Sequence, residues 1–288
     1  MYSFDQLGSG LESFAGLFPA IQKTWVLILI PLFSVIFFPT IAQTGATLLW
    51  SDEFDQNGLP DPEKWAYNVG DHGWGNNELQ FYTEANPANA RVENGVLIIE
   101  AKQDSSFAKG YSSARLVTKG KAAWQYGYIE VRAKLPEGVG TWPAIWMLAE
   151  ENRHGGWPKN GEIDIMEHVG YDPGTVHGTV HTAAFNHTRN THKGAQVNVP
   201  DFNSEFHLYA IDWTAEKIDF YKDGQRYFTF ENTGGDYQEW PFDQPFHLIL
   251  NIAVGGNWGG QKGVDPDIWP QRMEIDYVRV YNQMPKGQ

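Results

Sequence analysis

Three carboxylates stand within six residues at Glu162-Ile163-Asp164-Ile165-Met166-Glu167, with no basic residue among them. Buried like charge in a β-branched, apolar run destabilises a strand unless the charges have a use. Paired carboxylates suit general acid/base and nucleophilic attack on a glycosidic bond. Strand side chains alternate between faces, so Glu162 and Asp164 share one face while Ile163 and Ile165 take the other. Strict alternation would send Glu167 into the core. One extra residue, a β-bulge near Ile165-Met166, returns Glu167 to the Glu162 face, and this bulge is expected. The two glutamates then lie about 13 Å apart at Cα, with roughly 5–7 Å between carboxyl groups that lean together. Retaining glycosidases use about 5–5.5 Å and inverting ones about 6.5–9.5 Å, so a bulge that shortens the path favours retention. Asp164, between them, raises a neighbour's pKa by like-charge repulsion and can share a proton with the nucleophile.

The elements that must carry these groups are strands. The chain has 288 residues, with 30 Gly, 16 Pro and 15% aromatic residues, and Leu and Ala gather into no helical runs. Strands are expected over 95–101, 126–133 and 273–281, and a hairpin over 217–222 and 225–230 turns at Asp223-Gly224. Asp-Gly supplies the positive φ angles of a tight primed turn. Many strands with regular turns predict an all-β, two-sheet antiparallel β-sandwich of the jelly-roll kind, with a substrate cleft across its concave sheet. No linker or repeat interrupts 47–281, so residues 44–288 read as one catalytic sandwich domain.

The formal charge of −14 argues against nucleic acid or anionic lipid as partner and fits a neutral polymer. Cysteine is absent, which excludes thiolate chemistry and a disulfide framework. Residues 1–43 differ from the rest: Lys23, an apolar stretch from Trp25 to Phe38, then Pro39-Thr40-Ile41-Ala42-Gln43. The pattern predicts a secretory signal cut near Ala42-Gln43, an uncleaved anchor being the alternative. The mature chain is then expected outside the cell or in the periplasm, free of membrane, as a monomer.

Glu162 to Glu167 resembles the signature of glycoside hydrolase family 16 in its longer, bulged form. The likeness spans the body: Trp50-Ser51-Asp52-Glu53-Phe54, Asn76-Asn77-Glu78-Leu79-Gln80-Phe81-Tyr82-Thr83, Tyr111 to Leu116, Gly140 to Leu148, Ala253 to Trp258 and Ile275 to Tyr281 occur in the family's order. The pattern is similar to the bacterial laminarinase branch, endo-β-1,3-glucanases, which implies laminarin-like glucans as substrate with mixed-linkage β-1,3-1,4 glucans as a further one. The resemblance implies Glu162 as nucleophile, Glu167 as acid/base and Asp164 as the assisting residue. The shorter, unbulged signature belongs to mixed-linkage lichenases, and Met166 is the inserted residue that separates this chain from them.

Trp142 and Trp146 flank Pro143 ahead of the catalytic strand, and an indole face suits the axial C–H face of glucose. The resemblance extends that cleft role to Trp124 and Trp258. Arg115 and Asn77 can hold sugar hydroxyls, although a surface arginine and a turn asparagine are the bland readings. His177 and His181 sit on a β-branched segment, about 13 Å apart if it is a strand, too far to share one ion. The resemblance implies a cleft position near the acid/base for His181, and His177 is read as structural. No cofactor is expected in catalysis. A structural Ca²⁺ is implied by resemblance alone, on the backbone carbonyls of Glu53 and Gly95 and the carboxylate of Asp276. Two rivals stand beside this reading: an agarase- or carrageenase-type hydrolase on the same scaffold, and a non-catalytic β-1,3-glucan-binding protein.

Overall fold

The computed structural model describes residues 45–286; the expected signal or anchor at 1–43 lies outside the described residues. The strands, in chain order, are β1 (Leu48–Asp52), β2 (Ala66–Tyr67), β3 (Gln80–Tyr82), β4 (Ala90–Glu93), β5 (Val96–Gln103) and β6 (Tyr111–Ser113). Then come β7 (Arg115–Val117), β8 (Gly127–Lys134), β9 (Thr141–Ala149), β10 (Glu162–His168), β11 (Thr175–His181) and β12 (Lys193–Asn198). The last are β13 (His207–Trp213), β14 (Lys217–Lys222), β15 (Gln225–Glu231), β16 (Phe246–Val254) and β17 (Gln271–Tyr281). The strands predicted from sequence correspond to β5, β8, β14, β15 and β17. Asp223 and Gly224 take φ of 48° and 74°, the primed turn expected between β14 and β15.

Two sheets form the sandwich. One runs β15-β14-β13-β8-β17-β5-β6-β3, with β1 beside β17 and β4 beside β5; the other runs β12-β11-β10-β9-β16-β7-β2. Pairing is antiparallel throughout except between β3 and β6. The core lies between the sheets, from Leu97, Ile129 and Val131 on one side to Ile145, Ile163 and Leu250 on the other. Each such side chain contributes about 1.5–3 kcal/mol when fully buried. Alternate residues of the seven-stranded sheet therefore face away from the core: Asn251 on β16, Trp142 and Trp146 on β9, Glu162 on β10, and His177 and His181 on β11.

Candidate active site

Register places the chemistry. Across β10 and β9, Asp164 opposes Trp146, Met166 opposes Ile145 and Glu167 opposes Ala144. Ile165 is left without an opposite number, and the ladder to β11 breaks over the same stretch. This is the expected bulge. Ile163, Ile165 and Met166 are all buried in the core, leaving Glu162, Asp164 and Glu167 on the opposite face. Two consecutive core residues serve as the anchor that brings Glu167 round. Opposite them on β11, Glu162 faces His181, Asp164 faces Thr179 and Glu167 faces His177.

Each glutamate accepts a hydrogen bond from an indole. Trp157 Nε1 donates to Glu162 Oε2 at 3.0 Å, and Trp142 Nε1 donates to Glu167 Oε1 at 3.1 Å. Asp164 is 2% exposed and its Oδ2 has no hydrogen-bond partner. His181 Nε2 lies 3.4 Å from that oxygen and 3.7 Å from Glu162 Oε1. Burial pushes all three carboxyls up, and like-charge repulsion adds to this for Glu162 and Asp164. Glu167 is raised to about 7 by burial, against the lowering effect of the Trp142 N–H. The charge of Glu162 is supported by Trp157 and by Arg115. Burial, with His187 and His192 close by, pushes His181 down to about 3, so its imidazole is neutral.

Around this trio the aromatic residues are arranged as walls. The Arg115 guanidinium is sandwiched between Trp74 and Trp146, 4.6 Å from each ring. Trp146 Nε1 donates to Asn251 Oδ1 at 2.7 Å, and Asn251 Nδ2 donates to the Tyr82 hydroxyl at 3.0 Å. Behind them lies Glu78, buried and held by Asn76 and Gln80. At the Glu167 end, Trp258 packs edge-on against Trp142 at 5.5 Å and against His177 at 5.0 Å. Gly255 and Gly256 (φ 67° and 76°) make this possible by turning the chain after β16. A Cβ on Gly256 would stand 3.0 Å from the Asn76 carbonyl oxygen. At the Glu162 end, a hollow of about 220 Å³ is lined by Leu148, Asn152, Trp157 and Gly161. A larger one of about 390 Å³ beside β1 is bordered by none of the three carboxylates.

The structure thus brings Trp142, Trp146, Trp258, Arg115 and His181 around the carboxylates. Asn77 stands at the rim, its amide donating to Asn257 Oδ1 at 2.8 Å. Trp124 is placed elsewhere: its ring packs against Trp50 at 5.4 Å and its backbone bridges Phe246. His177, read from sequence as structural, faces Glu167 instead. Trp74 and Trp157 were not singled out by sequence reasoning. Trp157 carried a signal, since an aromatic in Gly155-Gly156-Trp157-Pro158 sits five residues before the carboxylate run.

For the calcium set, β5 and β1 follow one another along the edge of β17 opposite β8, with Asp52 opposite Val278 and Leu97 opposite Ile275. That register gathers Glu53, Gly95 and Asp276 along one stretch of β17. The donors are all oxygen, as calcium requires. The Glu53 carboxylate is engaged by Arg279 at 2.8 and 2.9 Å, which leaves its carbonyl for a metal. The Asp276 carboxylate pairs with Arg132, so an ion there must share it.

Residues 77–279 match the family model of the glycosyl hydrolases family 16. A beta-glucanase of Rhodothermus marinus is 59% identical over 241 residues, 81% of this chain and 84% of the relative. A glucan endo-1,3-beta-glucosidase of Cryptopygus antarcticus is 38% identical over 260 residues, 85% of this chain and 95% of the relative. Among solved structures, the laminarinase from Rhodothermus marinus superposes with a TM-score of 0.81 at 58% identity, covering 83% of this chain and 98% of that one.

Proposed function

The chain belongs to the glycosyl hydrolases family 16, and from that premise we propose that it cleaves β-1,3-glucosidic bonds within laminarin-like glucans, with retention at the anomeric carbon. The observation that carries the reading is the shared face of Glu162, Asp164 and Glu167 on β10, each glutamate fixed by its own indole donor. Glu162 attacks the anomeric carbon while Glu167 gives its proton to the departing glycosidic oxygen. A covalent glycosyl-enzyme results. Water then enters, Glu167 takes its proton, and the Glu162 carboxylate departs as the C–O bond to water forms.

The protonation pattern follows from the surroundings. Three carboxylates so close cannot all ionise, so the trio keeps protons at neutral pH. Arg115 and the Trp157 N–H favour charge on Glu162, the group that must attack. Asp164 holds a proton between Glu162 and His181 and orients the nucleophile. Trp142, Trp146, Trp258 and the Trp74–Arg115 pair supply ring faces and donors for sugar units, and the hollow beside Leu148 and Trp157 extends the cleft past Glu162. Relatives of the mixed-linkage type act on β-1,3-1,4 chains, and the same cleft accommodates such substrates.

The working form is the chain freed of residues 1–43, exported and monomeric. Intact mass of secreted material tests this: a species retaining Met1 contradicts it. Calcium would be held by the backbone carbonyls of Glu53 and Gly95 and the carboxylate of Asp276, where it would supply a fixed positive charge that serves stability and no chemistry at the cleft. The function itself is tested by incubating laminarin with the wild type and with Glu162→Ser. The wild type releases oligosaccharides of mixed length, whereas the variant binds them without cleavage. Binding without turnover by the wild type would make the chain a glucan-recognition protein.

A further inference from the structure

Among the described residues, Glu162, Asp164 and His181 are the only set of three side chains whose ligating atoms lie within 4.8 Å of one another. Zinc–nitrogen and zinc–oxygen bonds of about 2.0–2.2 Å in a tetrahedron separate neighbouring donors by about 3.3–3.6 Å. His181 Nε2 lies 3.4 Å from Asp164 Oδ2 and 3.7 Å from Glu162 Oε1, close to two edges of that tetrahedron. The site also has unmet demand. Asp164 Oδ2, the oxygen nearest His181 Nε2, is buried without a hydrogen bond.

We propose that Glu162, Asp164 and His181 form a reversible inhibitory site for a borderline divalent metal ion of the zinc class. The inference rests on the assignment of Glu162 as nucleophile, since occupancy matters through that residue. One imidazole nitrogen and two carboxylate oxygens are a zinc donor set, with the fourth position left to water from the cleft. Calcium is disfavoured by the imidazole and by so few oxygens. On binding, the ion displaces the Asp164 proton to solvent and offsets the adjacent carboxylate charges that burial otherwise makes costly. It also ties up the carboxylate that must attack sugar, so metal and glucan exclude each other.

Calorimetric titration of the protein with ZnCl₂ tests this without relying on turnover. One ion per chain is expected, displaced by a β-1,3-gluco-oligosaccharide. Outer partners of metal ligands change affinity 10–100-fold, so loss of a direct ligand in His181→Gln should weaken zinc binding by about 100-fold or more. The double variant His187→Ala/His192→Ala should leave it unchanged, since those rings only flank His181. Zinc-edge X-ray absorption of the wild type should show one nitrogen and two carboxylate oxygens among the donors, and this decides the matter should the His181 variant misfold. Equal affinity in His181→Gln, loss of binding in the double variant, an absorption spectrum without those donors, or zinc that oligosaccharide does not displace would each overturn the proposal. Zinc bound as described to a protein that cleaves no glucan would sink the hydrolase reading instead. Cleavage with no zinc uptake would sink this inference alone.

Discussion

The indole donor on each glutamate gives the two carboxylates different sensitivities. Trp142 stabilises the charged form of Glu167, so Trp142→Phe should raise that pKa further and move the alkaline limb of the kcat/KM profile to higher pH. In the wild type this limb belongs well above the ordinary carboxylate range, because burial raises Glu167. A limb that stays in place would remove Trp142 from this role. Asp164 offers a second test with a defined sign. Its folded pKa is raised, so the native state keeps a proton that the unfolded chain releases, and stability falls as pH rises through that interval. Asp164→Asn escapes this loss. Its melting temperature relative to the wild type should therefore climb by at least about 5 °C between pH 5 and pH 8, while kcat drops. A constant difference across pH would show that Asp164 is not held protonated.

At the scale of the strand, the bulge is the device that reconciles two core residues with three cleft carboxylates. Deleting Met166 leaves Glu162, Asp164 and the final glutamate on one face by plain alternation. The variant should fold, lose about 2–4 kcal/mol through the missing core side chain and retain measurable hydrolysis. An unfolded product, judged by near-ultraviolet circular dichroism, would mean that the bulge also fixes the sheet. This element was legible in the sequence because the parity of Glu162, Asp164 and Glu167 conflicts with two isoleucines and a methionine that need burial. The hairpin at Asp223-Gly224 was legible for a similar local reason. Trp157 and His177 were harder. Trp157 reaches Glu162 from an irregular loop, and His177 acquires its position only through the β10–β11 register. Trp124 shows the converse: its aromatic character is equally suited to a cleft wall, and only packing against Trp50 reveals where it sits.

For the whole molecule, the central question is how a strongly acidic sandwich meets its polymer. A net charge of −14 repels sulfated chains, so kcat/KM on laminarin should exceed that on carrageenan by at least about 100-fold at low salt. The reverse preference would place the chain among hydrolases of sulfated galactans. The β1–β17–β5 corner gives a stability test: with calcium bound, a chelator should lower the melting temperature by several degrees, about 5 °C, and calcium should restore it. Unchanged melting would argue against an ion at Glu53, Gly95 and Asp276. Retention by Glu162 and Glu167 is the claim on which the mechanism turns. Proton NMR of laminarin during the first minutes of hydrolysis reads it most directly. The β-anomer should appear first, with the α-anomer growing only by mutarotation; α-anomer at the outset would contradict the double displacement.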